Sequence, residues 1–163
     1  MINNKNKIVS KKNLIELLKK LKRRKKKIVI TNGCFDILHP GHISYLKKSK
    51  QLGDILIVLI NTDKSVKTNK GNKRPINNLV FRQRMISELS SVDYVVSFST
   101  KTPENLYKIL SPDILTKGKD MINKTIAGAK NVKQNGGKVK LIRYDKKYST
   151  TKIIKKIIKS YQE

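Results

Sequence analysis

The sequence predicts an α/β fold: a five-stranded, mainly parallel sheet with helices on both faces. Three observations predict it. Short apolar runs alternate with stretches of helical periodicity along the whole chain. The runs 28–30 and 55–60 are hydrophobic without a gap, as strands covered on both faces must be. No internal repeat or linker-like composition divides the 163 residues, so they are read as one domain, a basic amphipathic helix over 1–26 followed by an α/β core over 27–163.

The elements follow in order. Leu14, Ile15, Leu17, Leu18 and Leu21 recur at helical spacing and predict a helix over 11–23. The cationic block 22–27 after it reads as a solvated helix end whose charges complement the dipole. Ile28-Val29-Ile30 is a buried strand, with Thr31-Asn32-Gly33 as the turn it meets. A helix is expected over 41–51, a strand over 55–60 after the Gly53-Asp54 turn, and a polar loop rich in Lys, Asn and Gly over 62–78. Then come a helix over 80–90, a strand over 94–98, a helix over 103–110 and a brief strand over 114–116. A helix over 126–134, the Gly136-Gly137 turn and a strand over 138–142 complete the core. Ser149-Thr150-Thr151 has the composition of an N-cap region and starts a last helix over 152–161. Ligands of such sheets lie beyond the carboxyl ends of strands, which directs attention to the loops after Ile30, Ile60, Thr116 and Ile142.

Composition narrows the function classes. The longest apolar run, 55–60, is far short of the ~20 residues of a membrane span. Residues 1–7 lack the apolar stretch of a secretory signal, and the single cysteine, Cys34, permits no internal disulfide. A cytoplasmic setting is expected. The formal charge of +27 suits a phosphorylated ligand and would attract polyanions at low salt. A basic nucleic-acid-binding module is therefore a competing class. Against it, the lysines are spread over every segment, and aromatic residues, only 6%, are not interleaved with them as single-strand binding requires.

The chemistry concentrates in residues 31–42. Both histidines of the chain, His39 and His42, lie here, separated by Pro40 and Gly41. Proline suits a first helical turn and glycine admits a ligand close to the backbone, so a helix starting near Gly41 would present free N–H groups and a partial positive charge to a phosphate. Two imidazoles at that point can donate to the same phosphate as charge builds on it. Competing readings of the same residues are a zinc site from Cys34, Asp36, His39 and His42, a cysteine nucleophile with a histidine base, and plain turn chemistry.

His39-Pro40-Gly41-His42 matches the H-x-G-H motif, and the segment resembles the signature of the cytidylyltransferase-like nucleotidyltransferase superfamily. The resemblance extends through residues 70–77, Val92-Asp93-Tyr94-Val95-Val96, Lys117-Gly118, Gly128, Asn135-Gly136-Gly137 and Tyr148-Ser149-Thr150-Thr151, which occur in the order and spacing of one subfamily, the D-glycero-β-D-manno-heptose 1-phosphate adenylyltransferases. It implies a Rossmann-like nucleotidyltransferase fold and a reaction in which ATP and heptose 1-phosphate give ADP-heptose, for the lipopolysaccharide core, and pyrophosphate. ATP would be a substrate accompanied by Mg²⁺, with no metal-binding side chains expected of the protein. The partners implied are the sugar phosphate, the nucleotide and a separate heptose kinase, with neither membrane nor specific nucleic acid, and a homodimer is left open. A kinase domain precedes the transferase in many bacteria and is absent from these residues, so the resemblance is to the stand-alone form or to the transferase part of a split pair.

Residue by residue, the resemblance implies that His39 and His42 steady the transition state. Thr31, Asn32, Gly33, Cys34, Phe35, Asp36 and Gly41 would line the nucleotide, with Ser149, Thr150 and Thr151 as a second phosphate cradle. Asn61, Asp63, Lys70, Arg74, Arg82, Lys117 and Asp120 would meet the sugar or phosphates, and Asp36 would orient His39 or act through Mg²⁺. The subfamily commonly has Lys-Gly-Gly-Asp-Tyr where this chain has Lys117-Gly118-Lys119-Asp120-Met121, and acidic residues where it has Lys124 and Thr125. Lys119 thus stands where a close backbone approach or a positive φ is expected, and these changes bear on base and sugar recognition. Glycerol- or polyol-phosphate cytidylyltransferases, which use CTP, would carry the same phosphate-binding parts and are the alternative within the superfamily.

Overall fold

The structure, a computed structural model, describes residues 7–122, 125–143 and 147–162. Five strands, β1 (Ile28–Gly33), β2 (Ile55–Asn61), β3 (Tyr94–Phe98), β4 (Ile114–Gly118) and β5 (Lys138–Ile142), form one sheet in the order β3-β2-β1-β4-β5, with every pairing parallel. The chain therefore winds outward from β1 in one direction and then in the other, so the crevice between β1 and β4 is the switch point at which such sheets bind ligands. Among the described residues seven α-helices connect and flank the strands: α1 (Lys11–Arg23), α2 (Pro40–Lys50), α3 (Asp63–Lys70), α4 (Leu79–Ser87), α5 (Glu104–Leu110), α6 (Ala129–Gln134) and α7 (Thr150–Ser160).

Alternate residues of the central strands feed two cores. Ile28, Ile30, Ile57 and Leu59 pack with Leu14 and Leu18 of α1, with Leu106, Tyr107 and Leu110 of α5, and with Val132 of α6. Val29, Leu56, Val58 and Ile60 face the other way, onto Tyr45 and Leu46 of α2 and Ile86 of α4. Burial on both faces is why these strands read as unbroken hydrophobic runs.

Three aspartates fix the entry to the sheet. Asp54, just before β2, accepts from Lys27 N at 2.7 Å; Asp113, before β4, accepts from Ile28 N at 2.7 Å; Asp93, before β3, accepts from Leu56 N at 2.7 Å. Each carboxylate thus satisfies an N–H at the start of a neighbouring strand that the ladder leaves unpaired. Residues 7–9 extend the far edge, with Val9 N donating to Val95 O at 3.0 Å and Val95 N to Lys7 O at 2.8 Å.

The structure differs from the expectations chiefly at four places, besides a helix expected over 80–90 that ends at Ser87 and a strand expected over 114–116 that runs to Gly118. β1 runs on through Thr31-Asn32-Gly33, which pair with Val58, Leu59 and Ile60 of β2 instead of turning. The loop expected over 62–78 contains α3, which begins at a Thr62 cap and buries only Ser65 and Val66, too little to leave an apolar periodicity. The helix expected from 126 starts at Ala129, because Gly128 adopts φ 78, outside the helical region. The last helix begins two residues early, at Thr150. Lys124 and residues 1–6 lie outside the described residues.

Candidate active site

A cleft of about 620 Å³ opens at the carboxyl ends of the strands. Its floor is the end of β1, and its walls are the N-termini of α2 and α7, the loop after β2, the loop after β3 and the segment after β4.

His39 is the N-cap of α2, in extended conformation with φ −145 and ψ 164, and Pro40 occupies the first turn. The Nδ1 of His39 accepts from the His42 backbone N–H at 3.3 Å. In the neutral ring one nitrogen accepts and the other carries the proton, so this cap leaves Nε2 as the N–H nitrogen. The rings of His39 and His42 stack with centroids 3.7 Å apart and 19° between planes, and Phe35 leans against His42 at 5.2 Å. Burial pushes His39 below the ordinary imidazole range. It pushes His42 down to about 4, with repulsion from His39 adding to it and the Ile37 backbone opposing. Burial thus favours the neutral form of both rings at pH 7, which can donate a hydrogen bond but carries no charge. Among the described residues His42 Nδ1 is buried without a hydrogen-bond partner.

Phe35 adopts φ 46, a strained conformation for an aromatic residue, and its ring tucks against Gly33, where a Cβ would stand 2.9 Å from it. The turn carries Asp36 inward. Its carboxylate accepts from Arg74 Nε at 2.5 Å and from the backbone N–H groups of Ile76 at 2.9 Å and Asn77 at 2.8 Å, while Asn77 Nδ2 donates to Asp36 O at 2.7 Å. Burial alone would raise its pKa, but these bonds outweigh it and hold the carboxyl below its usual value. Among the described residues Asp36 makes no hydrogen bond to His39; it fastens residues 74–77 beside the turn at Phe35, with Arg74 lining the cleft.

Three expected contact residues stand off the cleft. Arg82 is fully buried: Nε donates to Asn77 O at 3.0 Å, Nη1 to Cys34 O at 2.7 Å and Nη2 to Asp63 Oδ1 at 2.7 Å. Its guanidinium and Asp63 are thus committed to holding the turn at Cys34. Thr31 is also buried, sharing a 2.6 Å hydrogen bond with Tyr45 Oη and donating to Thr116 O at 3.3 Å, so it braces β1 against α2 and β4.

The remaining expected residues come together at the cleft: Asn32, Gly33, Cys34, Phe35 and Asp36 from the signature, His39, Gly41 and His42 from α2, and Asn61, Lys70 and Arg74 beyond β2. Lys117 and Asp120 from β4 and its sequel, and Ser149, Thr150 and Thr151 at α7, complete them. Cys34 Sγ donates weakly to Asn61 Oδ1 at 3.9 Å, and burial raises its thiol pKa, so it is no ready thiolate. Among the described residues no group of three or more His, Cys, Asp or Glu side chains converges to hold a metal ion. Ser149 caps α7, accepting from Lys152 N at 3.1 Å, and Thr150 Oγ1 donates to Ile37 O at 3.3 Å, tying α7 to the approach of α2.

On the floor, Asn32 Oδ1 accepts from Tyr107 Oη at 2.6 Å and from Lys117 Nζ. Burial lowers the Lys117 pKa to about 8, with Asp120 opposing. Lys119 has no positive φ and does not line the cleft, whereas Met121 does.

Sequence reasoning missed Tyr45, Asn69 and Lys101, which also line the cleft, and gave no role there to Tyr148, quoted within the motif at 148–151. Lys101 was legible in principle: β3 too has a carboxyl end, and the loop after it reaches the cleft. Among the described residues no helix is long and apolar enough to cross a membrane.

Known proteins resemble this chain. Residues 30–158 match the family described as cytidylyltransferase-like. The bifunctional protein HldE of Marinomonas sp. (strain MWYL1) is 50% identical over 149 residues, 91% of this chain but 31% of the relative, so the chain spans about a third of that protein's length. The crystal structure of the lipopolysaccharide core biosynthesis protein from Thermoplasma volcanium GSS1 superposes with a TM-score of 0.59 at 35% identity, covering 76% of this chain and 99% of that one. Pantoate-β-alanine ligase from Francisella tularensis, at 20% identity and a TM-score of 0.59 over 96% of this chain and 79% of its own, shares the fold.

Proposed function

Because this chain belongs to the cytidylyltransferase-like family, we propose that it transfers the adenylyl group of ATP to D-glycero-β-D-manno-heptose 1-phosphate, yielding ADP-heptose and pyrophosphate. The observation that carries the reading is the stacked pair of neutral imidazoles at the buried start of α2, inside a cleft that a second helix start also faces. A sugar phosphate oxygen attacks the α-phosphorus in line; the new P–O bond forms as the bond to the β-phosphate breaks, and pyrophosphate leaves with the electron pair. The nucleophile is already an anion, so no general base is needed, and catalysis rests on alignment and charge stabilisation.

His39 Nε2–H and the Gly41 backbone N–H at the start of α2 are the donors for charge on the α-phosphate. Ser149, Thr150 and Thr151 at α7 suit the leaving phosphates, and Arg74, Lys70 and Lys101 supply cationic partners for the remaining phosphate oxygens. Mg²⁺ would neutralise triphosphate charge. Asp36 is committed to Arg74 and two backbone N–H groups, so the ion would be held chiefly by the phosphates, a mode usual for Mg²⁺. The same reading gives the chain a single transferase domain, a cytoplasmic location and a kinase as the source of the sugar 1-phosphate.

The test is a panel of ATP and CTP against heptose 1-phosphate and glycerol phosphate, following pyrophosphate and the nucleotide product. ADP-heptose is the expected product; a product formed with CTP and none with ATP would overturn the assignment.

A further inference from the structure

Beneath the cleft lies a polar arrangement that the reaction as described leaves unused. Tyr107, on α5, is fully buried, yet its hydroxyl donates to Asn32 Oδ1 at 2.6 Å, and Lys117 Nζ donates to the same oxygen. A lysine ammonium can only donate, so the atom it meets must be the amide oxygen of Asn32 and not the nitrogen. A carbonyl oxygen has two lone pairs, and both are now taken. The Asn32 side chain is consequently locked with its NH₂ turned away from Tyr107 and Lys117, and that group has no hydrogen-bond partner among the described residues, on a residue that lines the cleft.

The ring of Tyr107 is equally fixed. Gly128, at φ 78, crosses it so closely that a Cβ there would stand 2.6 Å from Cδ2. The phenol is held well above its usual pKa by burial and keeps its proton, which makes it a permanent donor.

We propose that Tyr107 is a positioning residue, which together with Lys117 turns the Asn32 amide N–H toward the cleft as a donor to a phosphate oxygen of the bound substrates. The adjacent Lys117 ammonium selects an anionic acceptor over a neutral one. The inference rests on the reading of the cleft as a phosphoryl-substrate site and adds to it a residue that touches no ligand. The phosphate belongs to ATP or to the sugar 1-phosphate, and binding of each is measured separately.

The experiment is a double-mutant cycle read by calorimetric affinity for ATP and for heptose 1-phosphate, without turnover, in the wild-type chain, Tyr107→Phe, Asn32→Ala and the double variant. Tyr107→Phe keeps the ring under Gly128 and is expected to weaken one of the two ligands about 5- to 10-fold, the loss of one well-aimed hydrogen bond. Asn32→Ala should weaken the same ligand at least as much, and Tyr107→Phe added to it should change nothing further. Loss of ATP affinity assigns the phosphate to the nucleotide, and loss of sugar phosphate affinity assigns it to the acceptor.

Additive losses would show that Tyr107 acts through packing and would overturn the proposal, as would unchanged affinity for both ligands. Asn32→Asp keeps both accepted bonds and loses the donated one, so wild-type affinity in that variant also overturns it, even if Tyr107→Phe fails to fold. Ligand binding without ADP-heptose formation by the wild-type chain would refute the proposed reaction and leave Tyr107 judged by the cycle alone.

Discussion

Two helices begin at the cleft, α2 and α7, and they are held in opposite ways. α2 buries Gly41, Tyr45, Leu46 and Ser49, and its cap is a histidine whose own ring is stacked and largely enclosed. α7 buries none of its residues; Ile157 and Ile158 are half exposed, and Thr150 ties its start to the approach of α2. The difference teaches where each can contribute. Groups whose orientation is already fixed can stabilise a transition state without reorganising, whereas loosely seated groups chiefly help to hold a substrate. The α2 end should therefore govern turnover, and the α7 end affinity.

The sharpest way to break that contrast is His42→Ala. Turnover should fall on the order of 10²- to 10³-fold, as when one preorganised donor is deleted, while ATP affinity changes only a few-fold. Pre-steady-state rates with saturating substrates read the first, and calorimetry the second. A variant that turns over normally but binds poorly would move α2 into the class assigned to α7.

A somewhat smaller effect follows from the imidazole burial. His42 has a folded pKa of about 4 against an ordinary value of 6.5. As pH falls through 6.5 the unfolded chain takes up the proton first, so stability is intact above 6.5 and declines until about pH 4. The full loss is about 3 kcal/mol. Asp36, whose pKa is lowered from the carboxylate value of 3.8, contributes only below that window. Urea titrations of the ligand-free protein between pH 7 and pH 4 should show the decline, and His42→Phe should flatten it. An unchanged slope in that variant would mean that other groups carry the acid sensitivity.

The smallest effect belongs to α7. Thr150→Val removes the hydroxyl that donates to Ile37 O and should raise the nucleotide KM about 3- to 10-fold at constant kcat, the worth of one ordinary hydrogen bond. A kcat loss as large as that of His42→Ala would abolish the distinction between the two helix starts.

The same contrast explains what could be read from the sequence. Strands β2 and β3 and helix α1 announce themselves because burial writes apolar runs or periodicity into them. The start of α2 is legible because Pro, Gly and two histidines within four positions have few other uses. α3 escaped because a helix that buries only Ser65 and Val66 leaves almost no hydrophobic trace. Thr31, Asp63 and Arg82 were placed at the ligand because a polar residue near the signature is as suited to bracing as to binding. Only the distant partners decide, and Arg82 finds them in Cys34 O, Asn77 O and Asp63. Tyr107 went unnoticed for the converse reason: an aromatic at helical spacing looks like core, and its hydroxyl gains meaning only when α5 is laid beneath β1.

Asp54, Asp93 and Asp113 sit in a chain with only 11 acidic residues against 38 basic ones. Each clasps an amide that a cationic side chain could not serve, since an ammonium offers nothing for an N–H to donate to. Lysine can spread across the outer faces of the helices with little consequence, but at these three thresholds it would repel the very groups that need a partner. Anyone wishing to lighten the charge of this protein should add carboxylates to the open helix surfaces and leave these three untouched, for they set how far the drift toward basic composition can run.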